Sequence, residues 1–144
     1  VHGLSRRLHP SILDDLGLVA AVENECRGYF ERSGAVVDWE VSGEFQSLPM
    51  ETQVTIYRIV QEGLRNTFRH AGATEISLSL RRDNNATTLV IQDNGVGFSR
   101  DQANWKAGLG LASMVERAKL VGGVLTVESA VGVGTVIKMT IPEV

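Results

Sequence analysis

The sequence predicts an α+β fold, a two-layer sandwich in which a mixed, mostly antiparallel sheet carries its helices on one face. Three observations predict it. Two long stretches show helical periodicity, with a short alternating stretch between them. Four more alternating runs fall into two pairs, joined by the turn signals Asp83-Asn84-Asn85 and Gly132-Val133-Gly134. Hydrophobic residues make up 43% of the 144 positions, enough for one substantial core.

Pro10 interrupts any helix arriving from upstream and is suited to start a new one. Leu18, Val22, Cys26 and Phe30 recur at i, i+4 and predict an amphipathic helix ending near Ser33-Gly34. Val37, Trp39 and Val41 alternate as a half-buried strand, closed by Ser42-Gly43. Pro49 opens the longest helix, which runs to about Arg69 along Val54, Tyr57, Val60, Leu64 and Phe68 and stops at Ala71-Gly72-Ala73. Ile76, Leu78 and Leu80 form a second strand, and the run from Thr87 to Gln92 returns as a third. Residues 94–107 read as loop. A short helix over Leu111, Met114, Val115 and Ala118 is stopped by Gly122-Gly123, and Leu125 and Val127 form a strand. The last strand holds Thr135, Ile137, Met139 and Ile141 and ends at Pro142. There is no internal repeat and no low-complexity segment.

Bulk properties exclude several classes. A net charge of -3 with scattered arginines argues against direct nucleic-acid binding by charge. No apolar run approaches the roughly 20 residues needed to span a bilayer, so no membrane contact is expected of this domain, and no signal peptide is visible. One cysteine, Cys26, rules out an internal disulfide and fits a reducing, cytoplasmic setting. The three histidines lack metal-ligand spacing. The opening Val1-His2-Gly3 has no start methionine and reads as a piece of a longer protein.

Four groups of residues carry chemistry. Glu62, Asn66 and His70 stand at i, i+4, i+8 on the long helix and share one polar stripe, with Leu64 and Phe68 directed elsewhere toward the core. Such a stripe is most often only a solvated face. An amide oxygen nevertheless suits the octahedral shell of Mg²⁺ beside substrate phosphates, and a carboxylate one turn away is placed to polarise an attacking group. The third strand runs into Asp93-Asn94-Gly95-Val96-Gly97-Phe98, and Gly108-Leu109-Gly110-Leu111 follows a loop later. Asp-Asn-Gly alone is usually a turn. Here no paired strand returns at once, and the second glycine pair leads into a helix N-terminus, a ready anion site. Asp93, an acceptor only, meets the exocyclic amine of adenine but would face the carbonyl of guanine, and so favours ATP over GTP. Gly132-Val133-Gly134-Thr135 turns the chain into the last strand and brings a hydroxyl toward the pocket floor beside Asp93.

These residues resemble the ATP-binding domain of histidine kinases. Gln61-Glu62-Gly63-Leu64-Arg65-Asn66 through His70-Ala71 resembles its N box. Asp93 to Phe98 resembles its first glycine box, Gly108 to Leu111 its second, and Gly132 to Thr135 its closing glycine-threonine motif. The leader Leu8-His9-Pro10 with Leu13-Asp14-Asp15-Leu16-Gly17-Leu18 is similar to that of the nitrate/nitrite-sensor subfamily.

The resemblance implies a Bergerat-type sandwich, with residues 1–17 a leader from an absent dimerisation hairpin and 18–144 the catalytic domain. It implies that Asn66 ligands Mg²⁺ and that Glu62 is a polarising or general-base carboxylate. Asp93 and Thr135 would hold the base, Gly95 and Gly97 would shape the pocket wall, and Gly108 and Gly110 would close over the phosphates. His70, Phe98, Leu109 and Leu111 complete the nucleotide-binding positions. The implied activity is transfer of the γ-phosphoryl group of ATP to a histidine outside this chain. The implied partners are the dimerisation domain of a homodimeric parent and a response regulator with helix-turn-helix output. Thr67 stands where the family usually has alanine. An anti-sigma-type serine kinase shares the same boxes, but the leader argues against it. A non-catalytic, nucleotide-gated interaction module would have no need of Glu62.

Overall fold

The computed structural model describes residues 10–98 and 110–143, with His70 and Ala71 described by their backbone alone. The first helix, α1 (Ser11–Ser33), starts directly after Pro10 and is broken at Gly17, which takes φ 84° and ψ 170°. Leu13, ahead of that break, already packs into the core. Beyond it, Leu18, Ala21, Val22, Cys26 and Tyr29 face inward. Gly34 ends the helix in the left-handed region, its N–H donating to the Phe30 carbonyl at 2.8 Å. Phe30, expected on the apolar stripe, is 50% exposed, and Tyr29 takes its place inside. Burial pushes the Cys26 thiol up to about 12, as befits a small core residue.

Strand β1 (Val37–Ser42) leads to helix α2 (Met50–Asn66), which is continued by a π-helical turn over Thr67–Ala71. Strands β2 (Ile76–Arg82) and β3 (Ala86–Asp93) form the first hairpin. Helix α3 (Leu111–Leu120) precedes β4 (Val124–Ala130) and β5 (Gly134–Pro142), the second hairpin. The sheet order is β1-β2-β3-β5-β4. Only β1 and β2 run parallel, and a parallel pair needs a crossover, here supplied by α2. The expected α+β sandwich and its largely antiparallel sheet are therefore present.

The core lies between the helices and one face of the sheet. Leu78, Leu80, Leu89, Ile91, Ile137 and Met139 alternate inward against Ile56, Ile59, Val60 and Leu64 of α2. The other sheet face carries exposed Ser77, Arg81, Gln92, Lys138, Thr126 and Glu128. Gly63 sits mid-helix where a Cβ would stand 2.7 Å from the Ile91 Cδ1 methyl, so its missing side chain lets α2 lie close on β3. Tyr57 of α2 donates to Glu25 of α1 at 2.8 Å, and burial, with that bond, pushes its phenol up to about 12. Arg82 grips Glu143 with two 3.0 Å bonds and Ser47 with one of 2.7 Å, fastening the end of β5 to the loop before α2. Among the described residues no helix is long and apolar enough to cross a membrane.

Candidate functional site

The sheet order brings distant motifs together at one end. Because β5 is inserted between β3 and β4, Asp93 pairs directly with Thr135, and Thr135 with Ser129. Directly paired residues share a face. The buried Ile91, Ile137 and Val127 stand two positions away on the same strands, so Asp93, Thr135 and Ser129 lie on the helix-covered side.

Asp93 is held at both carboxylate oxygens. Oδ1 accepts the Gly95 N–H at 2.8 Å, the local turn that Asp-Asn-Gly predicts. Oδ2 accepts from the Thr67 hydroxyl at 3.3 Å. Burial raises the Tyr29 phenol, and the Asp93 charge adds to the rise. Asn94 does different work: its Oδ1 accepts the N–H groups of Thr74 and Glu75, each at 2.9 Å, and its Nδ2 donates to Thr74 Oγ1 at 3.0 Å. The end of β3 is thereby pinned to the segment entering β2.

The glycines stand where side chains do not fit. A Cβ on Gly97 would lie 2.1 Å from the Ala130 carbonyl oxygen, and one on Gly134 would lie 2.0 Å from that of Asp93. Gly132 donates its N–H to the Val96 carbonyl at 2.7 Å, so the glycine turn closes against the loop after Asp93. Gly95 is buried, and Phe98 packs partly against the core.

Ser129 is a hydrogen-bond node that no motif in the sequence marks. Its hydroxyl accepts the Phe98 N–H at 2.9 Å and lies 3.1 Å from the Gly134 carbonyl and 2.9 Å from Thr135 Oγ1. A carbonyl only accepts, so the Ser129 proton goes to Gly134 and the Thr135 hydroxyl donates to Ser129. Thr135 is thereby fixed directly across the strands from Asp93. Ser129→Ala is expected to cost about 1 kcal/mol of stability, because it removes the hydroxyl that bonds the Phe98 N–H and the Gly134 carbonyl. A lower urea midpoint at constant slope would show it; an unchanged midpoint would contradict the role of Ser129 as a node.

Glu62 and Asn66 follow one turn apart on α2, as the stripe predicts. The Glu62 carboxylate accepts from Arg65 at 3.0 Å. Its Oε2 lies 3.1 Å from where a Cβ on Gly110 would be, so Glu62 abuts the start of α3. Gly110 takes φ 69°, immediately ahead of Leu111, which is buried. A carboxylate and an amide oxygen are hard donors, and with phosphate oxygens and water they fit an octahedral Mg²⁺ better than a site built wholly of protein ligands. Among the described residues no group of three His, Cys, Asp or Glu side chains could hold a metal alone. Phe68, expected to point into the core, is 48% exposed, with its ring edge-on to Tyr29 at 6.1 Å. Gly108, Leu109 and the His70 side chain lie outside the described residues, as does the leader before Pro10.

Residues 51–144 match the family described as histidine kinase-, DNA gyrase B-, and HSP90-like ATPase. The chain is 37% identical over 145 residues to the sensor histidine kinase MctS of Rhizobium johnstonii, covering 99% of this chain and 31% of that protein. It is 35% identical over 142 residues to the oxygen sensor histidine kinase NreB of Staphylococcus carnosus, covering 99% of this chain and 41% of that one. The chain thus spans about a third of the length of these curated relatives. The histidine kinase domain of a blue-light activated histidine kinase from Erythrobacter litoralis superposes with a TM-score of 0.67 at 23% identity, over 87% of this chain and 60% of that one. That likeness speaks to the fold.

Proposed function

The chain belongs to the histidine kinase-, DNA gyrase B-, and HSP90-like ATPase family, and from that premise we propose that it is the ATP-binding catalytic domain of a two-component sensor histidine kinase. The pairing of Asp93 with Thr135 across β3 and β5, at the end of α2 that carries Glu62 and Asn66, is the observation that carries this reading. Asp93 accepts from the adenine amine, with Thr135 beside it. Gly95, Gly97 and Phe98 form the wall against the base, and Gly108 to Leu111 close over the phosphates at the start of α3. His70 belongs to the same nucleotide site.

Asn66 ligands Mg²⁺, whose contribution when bound is to neutralise the phosphate oxygens. Glu62 orients and accepts the proton of the attacking imidazole. That nitrogen forms a bond to the γ-phosphorus as the bridging oxygen leaves with ADP. The rest of the work is positioning, which supplies much of what phosphoryl transfer needs. The acceptor histidine belongs to a dimerisation domain beyond this chain, residues 1–17 are the leader from it, and the phosphoryl group passes on to a response regulator with a helix-turn-helix output. The reaction takes place in the cytoplasm.

Calorimetric titration with ATP and GTP, with and without magnesium, tests this reading. ATP is expected to bind at least about tenfold more tightly than GTP, the equivalent of one charged hydrogen bond. Asn66→Ala is expected to abolish the magnesium dependence with the fold intact. Incubation with γ-labelled ATP is expected to leave this chain unlabelled at histidine. Equal affinity for the two nucleotides, or an acid-labile phosphohistidine on this chain, contradicts the reading.

A further inference from the structure

Thr67 is the residue at which the end of α2 touches the base-recognising carboxylate. It is 3% exposed and begins the π-helical turn directly after Asn66. Its hydroxyl lies 3.1 Å from the Gly63 carbonyl and 3.3 Å from Asp93 Oδ2. Both neighbours accept only, so the single Thr67 proton is shared between them. Asp93 Oδ1 is already fixed by the Gly95 N–H at 2.8 Å. With one donor on each oxygen, the plane of the carboxylate is set from both sides, leaving a lone pair on each oxygen for a ligand. Alanine at this position would leave Oδ2 without that donor.

We propose that Thr67 is a positioning residue for nucleotide selection. It orients the Asp93 carboxylate toward the exocyclic amine of adenine and ties base recognition to the end of α2 that bears Glu62 and Asn66. The inference rests on the proposed role of Asp93. A group held in its binding geometry before the ligand arrives spends less free energy on ordering. Removal of the Thr67 hydroxyl should therefore weaken only ligands that carry the amine.

The test compares the wild-type chain with Thr67→Val, Thr67→Ser and Thr67→Ala, titrated with ATP and with the purine ribonucleoside triphosphate lacking the amine. Thr67→Val keeps the shape and loses the hydroxyl. It is expected to weaken ATP binding by about 2- to 12-fold, less than the loss of the charged bond to the amine itself, and to leave the amine-free triphosphate unchanged. Thr67→Ser is expected to restore the wild-type ratio, and circular dichroism and urea unfolding of each variant report on the fold. A substitution that weakens both ligands equally marks a merely structural role and overturns the proposal, as does one that weakens neither. If the wild-type chain itself does not discriminate the two triphosphates, the role of Asp93 fails and this inference falls with it. If the wild type discriminates and Thr67→Val does so equally, only Thr67 is acquitted.

Discussion

Gly134→Ala is expected to destabilise the chain by about 3–5 kcal/mol, while Gly132→Ala, two residues earlier, costs about 1–2 kcal/mol. Both glycines have positive φ, 136° and 81°. They differ in what a methyl group would meet. At Gly132 there is nothing within 4 Å, so only the backbone conformation resists the substitution. At Gly134 the new Cβ would stand 2.0 Å from the Asp93 carbonyl oxygen, 2.9 Å from its carbon and 3.0 Å from Asn94 Cα. All three are main-chain atoms and cannot rotate away. Relief requires β5 to move from β3 at the point where Asp93 pairs with Thr135. A loss of that size is a large share of the stability of a domain this long, and it falls on the site. Gly97→Ala should behave like Gly134→Ala, since its Cβ would meet the Ala130 carbonyl oxygen at 2.1 Å. Urea unfolding of the three variants gives the comparison. Equal losses at Gly132 and Gly134 would show that conformational strain, not the closeness of the two strands, is the cause.

The hairpins and the order of elements were legible in the sequence because each rests on local chemistry, namely period-two alternation closed by Asp-Asn or Gly turns. The stripe on α1 departs from the expected one for an equally local reason. A step of four residues overshoots a turn by about 40°, so Phe30 lies about 120° round the helix from Leu18, whereas Tyr29 lies about 20° from it. Tyr29 is buried and Phe30 is half exposed accordingly. Phe68 escaped for a related reason: it follows the switch to the wider π-helical turn at Thr67, which no residue pattern announces. Of the site, the motif residues themselves stood out in the sequence. Their supports did not. Thr67 meets Asp93 across 26 residues and Ser129 meets Phe98 across 31, and a lone hydroxyl on a helix or strand carries no sign of a distant partner. The Arg82–Glu143 pair, 61 residues apart, was hidden in the same way.

Asp93→Asn should separate recognition of the base from integrity of the fold. Asparagine keeps an oxygen for the Gly95 N–H, which lies 2.8 Å from Oδ1 in the wild type. That bond fixes the sense of the amide, because the opposite rotamer would set NH₂ against the Gly95 N–H. The NH₂ group therefore takes the place of Oδ2, where the Thr67 hydroxyl can turn to accept from it. The strand end stays paired, and unfolding should shift little. At the Oδ2 position the ligand meets a donor in place of an acceptor, which opposes an adenine amine there and suits a guanine carbonyl. ATP binding is expected to fall by about 1.5–3 kcal/mol, the worth of a charged hydrogen bond, or roughly 10- to 140-fold, while GTP loses nothing and gains in relative terms. Asp93→Ala would be a poorer probe, since it also opens the turn at Gly95. Titration of the Asn variant with both nucleotides, beside its urea midpoint, decides the matter. If the stable Asn variant still prefers ATP by the wild-type margin, the base is selected elsewhere and Asp93 serves only to close its own turn.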